Sequence, residues 1–388
     1  GMAGAGGFSG TVPTGVRNIQ DEYQTPEACF PIREEAYKKW EVERVGCLGC
    51  GIRCLHRYEV NSPIHGLLQT QGMHANSVRG FGSNLGITDQ EDLLYLHTLC
   101  NENGLDVDGV SSGLAFALEC AEYGILNRDQ PGGVHLDWGD SKSMIFLLEQ
   151  IIAGEGLGAI LSLGVAEAAR RIGKGSEQHA IMNKNVGINE QGLRSHRGWA
   201  LGVMTSTRGG GHLGGSPQTE NRKISAVVGR RLYGNSHAGD AQSYKGKGAL
   251  VAWTEGMKVV VDSLGLCYFV YGWYDPSLGN PDEMAELLYM ATGKRLSGKE
   301  LHWRGLRCHT LERLLSYRLA GYSRKDDHLP ERFFNTSVTA GPYQGAHLEH
   351  ESVEKMLDEY YKTLGWEVDT GLPGASAIQR YQLRELFD

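Results

Sequence analysis

The stretch Cys47-Leu48-Gly49-Cys50-Gly51-Ile52-Arg53-Cys54 places three cysteines in a C-x2-C-x3-C spacing. Thiols this close in sequence pair poorly as disulfides, but they can ligate three corners of a [4Fe–4S] cluster. A fourth ligand must come from elsewhere, and Cys267 is the best candidate because Asp262 and Gly265 predict a tight turn that fixes its thiol. The alternative is a structural zinc site, which usually takes two separated pairs of ligands.

Composition is that of an ordinary globular protein. The chain has 388 residues, which is long enough for two or three domains. Its residues are 40% hydrophobic and 22% charged, so it can bury a substantial core. The formal net charge of −8, without any Lys/Arg block, argues against a nucleic-acid surface. No apolar run reaches the roughly 18 residues of a membrane span, and the start lacks the regions of a signal peptide. Eight cysteines, three of them clustered, favour a reducing cytoplasm over a disulfide scaffold.

Apolar spacing predicts a mainly α fold with little strand. One short strand is expected over 55–60, followed by a polar loop to Gly72, and a glycine-rich, non-helical region is expected over 173–215. We predict two helical domains, 1–175 and 176–388, and free thiols at Cys29, Cys100, Cys120 and Cys308. The predicted helices cover residues 34–41, 89–100, 112–123, 141–154, 159–172, 251–264, 281–292, 297–320 and 352–364.

A six-residue form occurs twice. Asn101-Glu102-Asn103-Gly104-Leu105-Asp106 and Asp262-Ser263-Leu264-Gly265-Leu266-Cys267 both read [N/D]-x-x-G-L-[D/C]. Either copy alone is typical of an ordinary helix-ending turn. Two copies, one of them ending in the remote cysteine, suggest two loops with the same task.

Three further motifs lie along the chain. They are Gly82-Ser83-Asn84, then Thr205-Ser206-Thr207-Arg208-Gly209 with His212, then the segment 324–334. Together with the cysteine trio and the repeated form, they resemble the C-terminal part of the tungsten-containing aldehyde:ferredoxin oxidoreductase family, from about Thr11 to about Trp366.

The resemblance implies a tungsten or molybdenum atom held by the dithiolenes of two pterins, beside a [4Fe–4S] cluster ligated by Cys47, Cys50, Cys54 and Cys267. Each copy of the repeated form would hold one pterin, with backbone N–H groups near the glycine and with the side chains of Asp106 and Asp262 as acceptors. The pterin-binding positions it implies are Asn84, Asn101, Gly104, Leu105, Asp106, Arg208, Asp262, Gly265 and Leu266.

Two basic side chains have roles that the resemblance suggests. Arg57 would bridge cluster and pterin, although an arginine at such a place is as often part of a solvated salt bridge. His212 would lie beside the metal as a proton donor or acceptor.

The chain departs from the family pattern in two places. Where the family aldehyde oxidases carry a Glu-Tyr-Glu-like element, this sequence has His74-Ala75-Asn76, and a neutral amide cannot be a general base. Either His74 takes over the proton chemistry or the substrate is not a simple aldehyde. Ahead of Arg194 the family usually has Glu and Asp-Pro, whereas 188–193 here reads Ile-Asn-Glu-Gln-Gly-Leu.

The resemblance therefore implies an anaerobic oxidoreductase that moves electrons between a carbonyl- or carboxyl-type substrate and ferredoxin or an iron–sulfur electron-transfer subunit. A benzoyl-coenzyme A reductase-type catalytic subunit and a non-catalytic electron-transfer or scaffolding subunit are the alternatives. In the family a β-rich N-terminal domain forms the base for the pterins. We expect a companion chain to supply that domain, because the matching region starts near Thr11.

Overall fold

The computed structural model describes residues 13–269 and 280–384. The chain forms two compact units. The first ends at Gly192 and also includes Thr336–Gly345, and the second begins at Leu193. The sequence places the division at 175/176, where the helical pattern breaks. The lead 1–7 and Thr11, at which the resemblance begins, lie outside the described residues.

Helices dominate the described part of the first unit, as predicted. Its α-helices are α1 (Pro26–Cys29), α2 (Glu34–Tyr37), α3 (Ala75–Ser77), α4 (Gln90–Glu102), α5 (Val107–Glu122), α6 (Ser141–Ala153), α7 (Gly156–Leu161) and α8 (Val165–Ile172), with a π-helix at Val78–Ser83. Its strands are β1 (Glu41–Val45), β2 (Leu55–Ser62), β3 (Gly66–Gln71), β4 (Asp129–Gln130), β5 (Val134–His135), β6 (Met182–Asn183) and β7 (Val186–Gly187). Short 3-10 helices lie at Phe30–Ile32, Lys38–Trp40, Pro131–Gly133, Ser176–His179 and Gly341–Tyr343.

The strands β1, β2 and β3 form an antiparallel sheet in that order, and the cysteine stretch connects β1 to β2. The predicted strand 55–60 is confirmed as β2, in which buried and exposed residues alternate. The predicted polar loop to Gly72 is wrong, because β2 continues to Ser62 and β3 covers Gly66–Gln71, and β1 was not predicted at all. Both strands lie at the edges of the sheet and expose most of their side chains, so neither shows the apolar pattern of a buried strand.

Local capping decides where α4 and α5 begin. Of the two candidate caps in the sequence, Thr88 and Asp89, the structure uses Asp89, whose carboxylate accepts from Asp92 N at 3.0 Å. Helix α5 begins five residues before the predicted Ser112, since Asp106 accepts from Asp108 N at 3.0 Å and serves as its N-cap. The helix predicted over 159–172 is instead two helices, α7 and α8, separated where Gly164 takes a φ of 84°.

The core of the first unit includes the buried faces of α4, α5 and α6. Leu94, Phe116 and Leu147 are completely buried there. Cys100 and Cys120 are completely buried as well, which confirms that each fills the place of a small apolar residue on a helix.

The described part of the second unit is also helical. Its α-helices are α9 (Arg197–Thr205), α10 (Ala226–Tyr233), α11 (Lys247–Ser263), α12 (Pro281–Thr292), α13 (Gly298–Ala320), α14 (Arg332–Asn335), α15 (His350–Leu364) and α16 (Ala375–Arg380). A short hairpin pairs β8 (Trp366–Glu367) with β9 (Leu372–Pro373), and 3-10 helices lie at His212–Gly214 and Arg324–Asp326. Among all described residues, no helix has both the length and the apolar character needed to cross a membrane.

Glycines allow the helices of the second unit to approach closely. An added Cβ at Gly305 of α13 would lie 2.1 Å from the carbonyl oxygen of Gly256 in α11. Helix α9 lies inside the region predicted to be non-helical and is buried along its whole length. Its Gly202 packs so closely on Ser216 that an added Cβ would lie 2.4 Å from the hydroxyl. A helix buried on all sides has no polar face, so the periodic signal is absent from its sequence.

Charged side chains of the second unit are buried in pairs. Lys247 Nζ donates to Glu220 Oε1 at 2.6 Å, and both side chains are fully buried. Arg313 donates two hydrogen bonds to Asp327, at 2.9 and 2.7 Å. Such pairs hold their positions because an unpaired charge in the same place would be strongly destabilising.

A buried histidine of α13 predicts how the stability of this unit depends on pH. His309 Nε2 lies 3.2 Å from Glu255 Oε2 and 2.8 Å from the hydroxyl of Tyr360. Burial opposes its charge, but the carboxylates of Glu255 and Glu312 together outweigh burial and raise the pKa of His309 from 6.5 to about 9. The folded state therefore binds more protons than the unfolded state between these pH values.

The stabilisation from charged His309 should be complete below pH 6.5 and should be lost as pH rises through about 9. Urea unfolding of the wild type and of His309→Gln should show a difference in unfolding free energy that shrinks over this range. The matched control is His135→Gln, because His135 is exposed and pairs with an exposed Asp129. A constant difference between wild type and His309→Gln would contradict the assignment.

Candidate functional site

The three clustered cysteines lie on the loop that joins β1 to β2. Val45 pairs with Leu55 at the base of this loop, and Cys50 N donates to Cys47 O at 2.9 Å. The loop folds tightly on itself, because an added Cβ at Gly46 would lie 3.0 Å from the carbonyl oxygen of Cys50. Cys47 is exposed, while Cys50 and Cys54 are half-buried.

The chemistry of this loop fits an iron–sulfur ligand set. None of the eight cysteines, all of which are described, forms a disulfide, so the thiols remain available. Within 13–269 and 280–384, however, no three His, Cys, Asp or Glu side chains are grouped closely enough to bind a metal ion. The loop thus supplies three donors of the right type without holding them in coordinating positions.

The two copies of the repeated form have the same backbone structure. Each ends a helix, with a glycine in the left-handed region: φ is 64° at Gly104 and 67° at Gly265. Leu105 N donates to Cys100 O at 2.9 Å, and Leu266 N donates to Val261 O at 3.0 Å. This six-to-one bond is the signature of the Schellman motif, in which the residue after the glycine packs back on the helix.

The Schellman geometry explains part of the repeated form. Leu105 packs on the core of the first unit, and Leu266 packs on a cluster that includes Met257 and Val260. The N–H groups of both glycines and both leucines donate to their own helices. Contact of these N–H groups with a pterin stays a prediction.

The side chains that flank the Gly-Leu pairs are exposed. In the first copy they are Asn101, which donates to the carbonyl oxygen of Gln71 at 3.3 Å, and Asp106. In the second they are Asp262, which pairs with Lys258 on α11, and Cys267. One carboxylate oxygen of Asp106 caps α5, whereas the Schellman turn itself requires neither Asp262 nor Cys267. Asp262, Cys267 and the other oxygen of Asp106 therefore remain candidates for ligand contact.

Arg57 forms a cross-strand ion pair. It lies on β2 opposite Glu43 of β1, and the two side chains are 3.1 Å apart, each about half exposed. This geometry favours the interpretation as a solvated salt bridge, although a bridging role with bound cofactors stays a prediction.

Asn84, from the Gly-Ser-Asn motif, is buried and clasps an unusual turn. Its Oδ1 accepts from Ile19 N at 3.0 Å, and its carbonyl oxygen accepts from Asn18 N at 3.3 Å. Arg17, Asn18 and Ile19 are three successive left-handed residues, with φ from 47° to 55°. A β-branched residue at positive φ is strained, so the turn depends on this clasp. Among the described residues, nothing forms a hydrogen bond with the buried Nδ2 of Asn84.

The two departures from the family pattern meet in space. Asn189 Nδ2 donates to the carbonyl oxygen of Asn76 at 3.1 Å, and both amides donate to the carboxylate of Asp108. The sequence prediction missed Asp108. The sequence feature that could have identified Asp108 is its position in the first turn of a helix that begins at a candidate pterin loop. His74, the expected substitute for the family carboxylate, is exposed at the N-cap of α3.

His212 lies in a glycine-rich turn of the second unit. Its ring stacks on Trp199 of α9 at a centroid distance of 4.8 Å, and the side chain is buried. The backbone reverses through Gly209 and Gly210, both at positive φ, and Gly215 N donates to His212 O at 3.0 Å. Arg208 is exposed on the same turn.

Comparison with known proteins identifies the class. Residues 9–383 match the family model described as aldehyde ferredoxin oxidoreductase, domains 2 and 3. The chain belongs to this family, and it carries the part of the fold that the model covers.

Individual relatives support the same family assignment. The chain is 29% identical over 362 residues to a tungsten-containing aldehyde ferredoxin oxidoreductase of Pyrococcus furiosus, covering 92% of this chain and 55% of the relative. It is 28% identical over 402 residues to an aliphatic sulfonate oxidoreductase, WOR-like subunit, of the same organism, covering 98% and 57%. The chain thus spans about half the length of the curated relatives it matches.

A solved structure also shares the fold. It is the active site complex BamBC of benzoyl coenzyme A reductase with 1,5-dienoyl-CoA, with a TM-score of 0.76 and 20% identity. The match covers 98% of this chain and 59% of that one. The predicted fold class, mainly α and of the type of domains 2 and 3, is confirmed.

The burial of the cysteines predicts two classes of thiol reactivity in chain prepared without a cluster. Burial raises the pKa of Cys100 and of Cys120 to about 12, so neither forms the reactive thiolate near neutral pH. A disulfide reagent at pH 8 should modify the loop cysteines, Cys267 and Cys308 rapidly. Cys100 and Cys120 should react only after urea is added, and their rapid modification in the folded chain would contradict their placement.

Proposed function

We propose that this chain carries a [4Fe–4S] cluster and part of a tungsten or molybdenum bis-pterin site in an oxidoreductase that exchanges electrons with a ferredoxin-type carrier. The observation that carries the proposal is the combination of three thiols on one short loop with two Schellman turns of the same sequence form. One of these turns ends in a fourth, exposed thiol, Cys267. Membership of the family supports the proposal.

The residues have distinct parts in this proposal. Cys47, Cys50, Cys54 and Cys267 would hold the cluster. The turns at Asn101–Asp106 and Asp262–Cys267 would each receive one pterin. When bound, the metal supplies the bond-making redox chemistry, and the cluster carries single electrons.

The protein's own side chains would bind and move protons at this site. The carboxylates of Asp106 and Asp262 are exposed and can accept hydrogen bonds from pterin amines. His212 is the candidate for a proton donor or acceptor at the metal, because its imidazole has both a donor and an acceptor nitrogen and its ring is held by Trp199. His74 is the second candidate, while Arg208 and Asn84 would contact the pterins.

The rest of the site would come from the domain that the relatives carry beyond domains 2 and 3. That domain would lie elsewhere in the same polypeptide or on the companion chain expected from the sequence. We favour a carbonyl- or carboxyl-type substrate. An aryl-coenzyme A substrate is the second candidate, since the solved structure that shares this fold is a benzoyl coenzyme A reductase complex and Asn76 is not an acid or base.

The decisive experiment is elemental and pterin analysis of the chain purified anaerobically together with the complementary domain. We expect iron, pterin, and tungsten or molybdenum to co-purify. Iron without pterin would favour an electron-transfer subunit, zinc without iron would favour a zinc site, and both results would overturn the proposal. Activity with aldehydes and with aryl-coenzyme A thioesters would then separate the two substrate classes.

A further inference from the structure

The carboxylate of Asp108 lies at the centre of a polar cluster in the first unit. Its Oδ2 accepts from Asn76 Nδ2 at 3.0 Å, and its Oδ1 accepts from Asn189 Nδ2 at 2.7 Å. Because both donors are neutral amides, they fix the position of the carboxylate without neutralising its charge. Asp108 is half-buried, so part of the residue remains accessible to solvent.

The charges of Arg79 and Glu190 offset each other and do not neutralise the carboxylate of Asp108. Arg79 Nη1 donates to the carbonyl oxygen of Asn189 at 3.0 Å and lies 4.0 Å from the carboxylate of Glu190. In the described residues, no lysine, arginine or histidine forms an ion pair with Asp108. The carboxylate of Glu190 therefore adds a like charge close to Asp108, and Arg79 offsets it only in part.

Close packing holds this cluster in place. Arg79 belongs to the π-helix Val78–Ser83, a rare form that often occurs at functional sites. An added Cβ at Gly80 would lie 2.5 Å from Ser111 Oγ and 2.9 Å from Asn189 Nδ2, so the π-helix approaches α5 closely. Ser112 Oγ also donates to the carbonyl oxygen of Asp108 at 2.6 Å.

We propose that Asp108 is the carboxyl group that supplies and recovers protons at the candidate pterin site of the first unit. It lies two residues after Asp106, at the start of the helix that follows the first Schellman turn. This inference rests on the proposed function, because a proton carrier there has a task only if that turn binds a cofactor.

The step is a proton transfer alone. The O–H bond of the protonated carboxyl breaks, its proton goes to the substrate, and a hydronium ion from the solvent then reprotonates the carboxylate and leaves as water. The electrons come from the ferredoxin-type carrier and do not pass through Asp108. The opposite direction of turnover reverses each of these transfers.

The protonation of Asp108 fits this role. Burial raises the pKa of its carboxyl group, and the charge of Glu190 raises it further, while the amides of Asn189 and Asn76 and the charge of Arg79 act in the opposite sense. A carboxyl group with a raised pKa can hold a proton closer to neutral pH.

The first test measures protonation directly, in the isolated chain. Carbon-13 NMR of labelled aspartate carboxyls, with Asp108→Asn to assign the signal, should show Asp108 titrating above the pKa of about 3.9 of free aspartate. Titration at or below that value would overturn the proposal, whatever the activity of the loaded enzyme.

The second test uses the complex of this chain with the complementary domain. Asp108→Asn keeps the shape of the side chain, and a rotation of the Asn76 amide restores its hydrogen bond. Turnover should fall roughly 10²-fold or more, with tungsten or molybdenum and pterin contents unchanged. The pH profile should also lose the limb that reflects Asp108. Asp129→Asn, a substitution of an exposed aspartate on β4, is the control.

A double variant provides the rescue. Asn76→Asp with Asp108→Asn moves the carboxyl group across the same hydrogen bond and should recover part of the lost turnover. Full turnover and an unchanged pH profile in Asp108→Asn would overturn this proposal alone. Absence of pterin and of both metals from the wild-type complex would instead overturn the proposed function.

Discussion

Replacing Cys50 with alanine is expected to remove the iron–sulfur cluster. A [4Fe–4S] cluster takes four cysteine thiolates, and Cys50 supplies the middle donor of the loop between β1 and β2. The thiols nearest in sequence, Cys47 and Cys54, cannot replace it, because each is already a ligand in the proposed set. Iron in anaerobically purified protein should fall from about four atoms per chain to nearly none, and the reduced-state EPR signal should disappear with it.

Two further variants make this result specific. Cys267→Ala should have the same effect as Cys50→Ala, although Cys267 lies in the second unit. Cys308→Ala is the matched control, because Cys308 is an exposed thiol of α13 outside the proposed set. A Cys267→Ala protein with its full iron content and an unchanged EPR signal would show that the fourth ligand is another group.

Asp327→Ala is expected to destabilise the second unit strongly. Arg313 and Asp327 are both almost fully buried, joined by two hydrogen bonds, and Tyr361 donates to the same carboxylate at 2.5 Å. The substitution leaves the guanidinium group buried without its counter-charge. Breaking a buried pair in this way costs about 3–5 kcal/mol, which urea unfolding at fixed pH can measure.

Arg324→Ala is the control for this prediction. Arg324 bonds Glu354 and Asp358 on α15, whose carboxylates are 45% and 35% exposed, so solvent screens these pairs more than the fully buried pair of Asp327. Ion pairs that are open to solvent contribute less than buried ones, so the loss should be smaller. Equal losses for the two variants would mean that the burial of Asp327 does not set its contribution.

The contacts of Asp327 and Arg324 also give a structural role to the segment 324–334, which is one of the motifs behind the family resemblance. Within 324–334, Asp327 anchors α13 through Arg313, and Arg324 ties the segment to α15. The side chain of Phe333 packs under the guanidinium group of Arg194. These contacts explain the segment by packing, with no ligand needed.

Local signals were sufficient for much of the helical fold. Asn280 and Ser297 form capping boxes at α12 and α13, and Asp89 caps α4, so these starts can be recognised within a few residues. The ends are equally local, since Gly104 and Gly265 adopt the left-handed conformation that terminates a helix. The edge strands β1 and β3 and the buried helix α9 lacked such signals, because strand pairing and the burial of a whole helix depend on other segments of the chain.

The sequence by itself determined the family, the mainly helical fold, and the residue types offered to a cluster and to pterins. It did so because thiol spacing, helix caps and the repeated [N/D]-x-x-G-L-[D/C] form are properties of short segments. Only the tertiary structure showed that Asn76, Asp108 and Asn189 form one cluster. These residues lie on three separate segments, and a hydrogen bond between distant segments forms only when the backbone between them has folded.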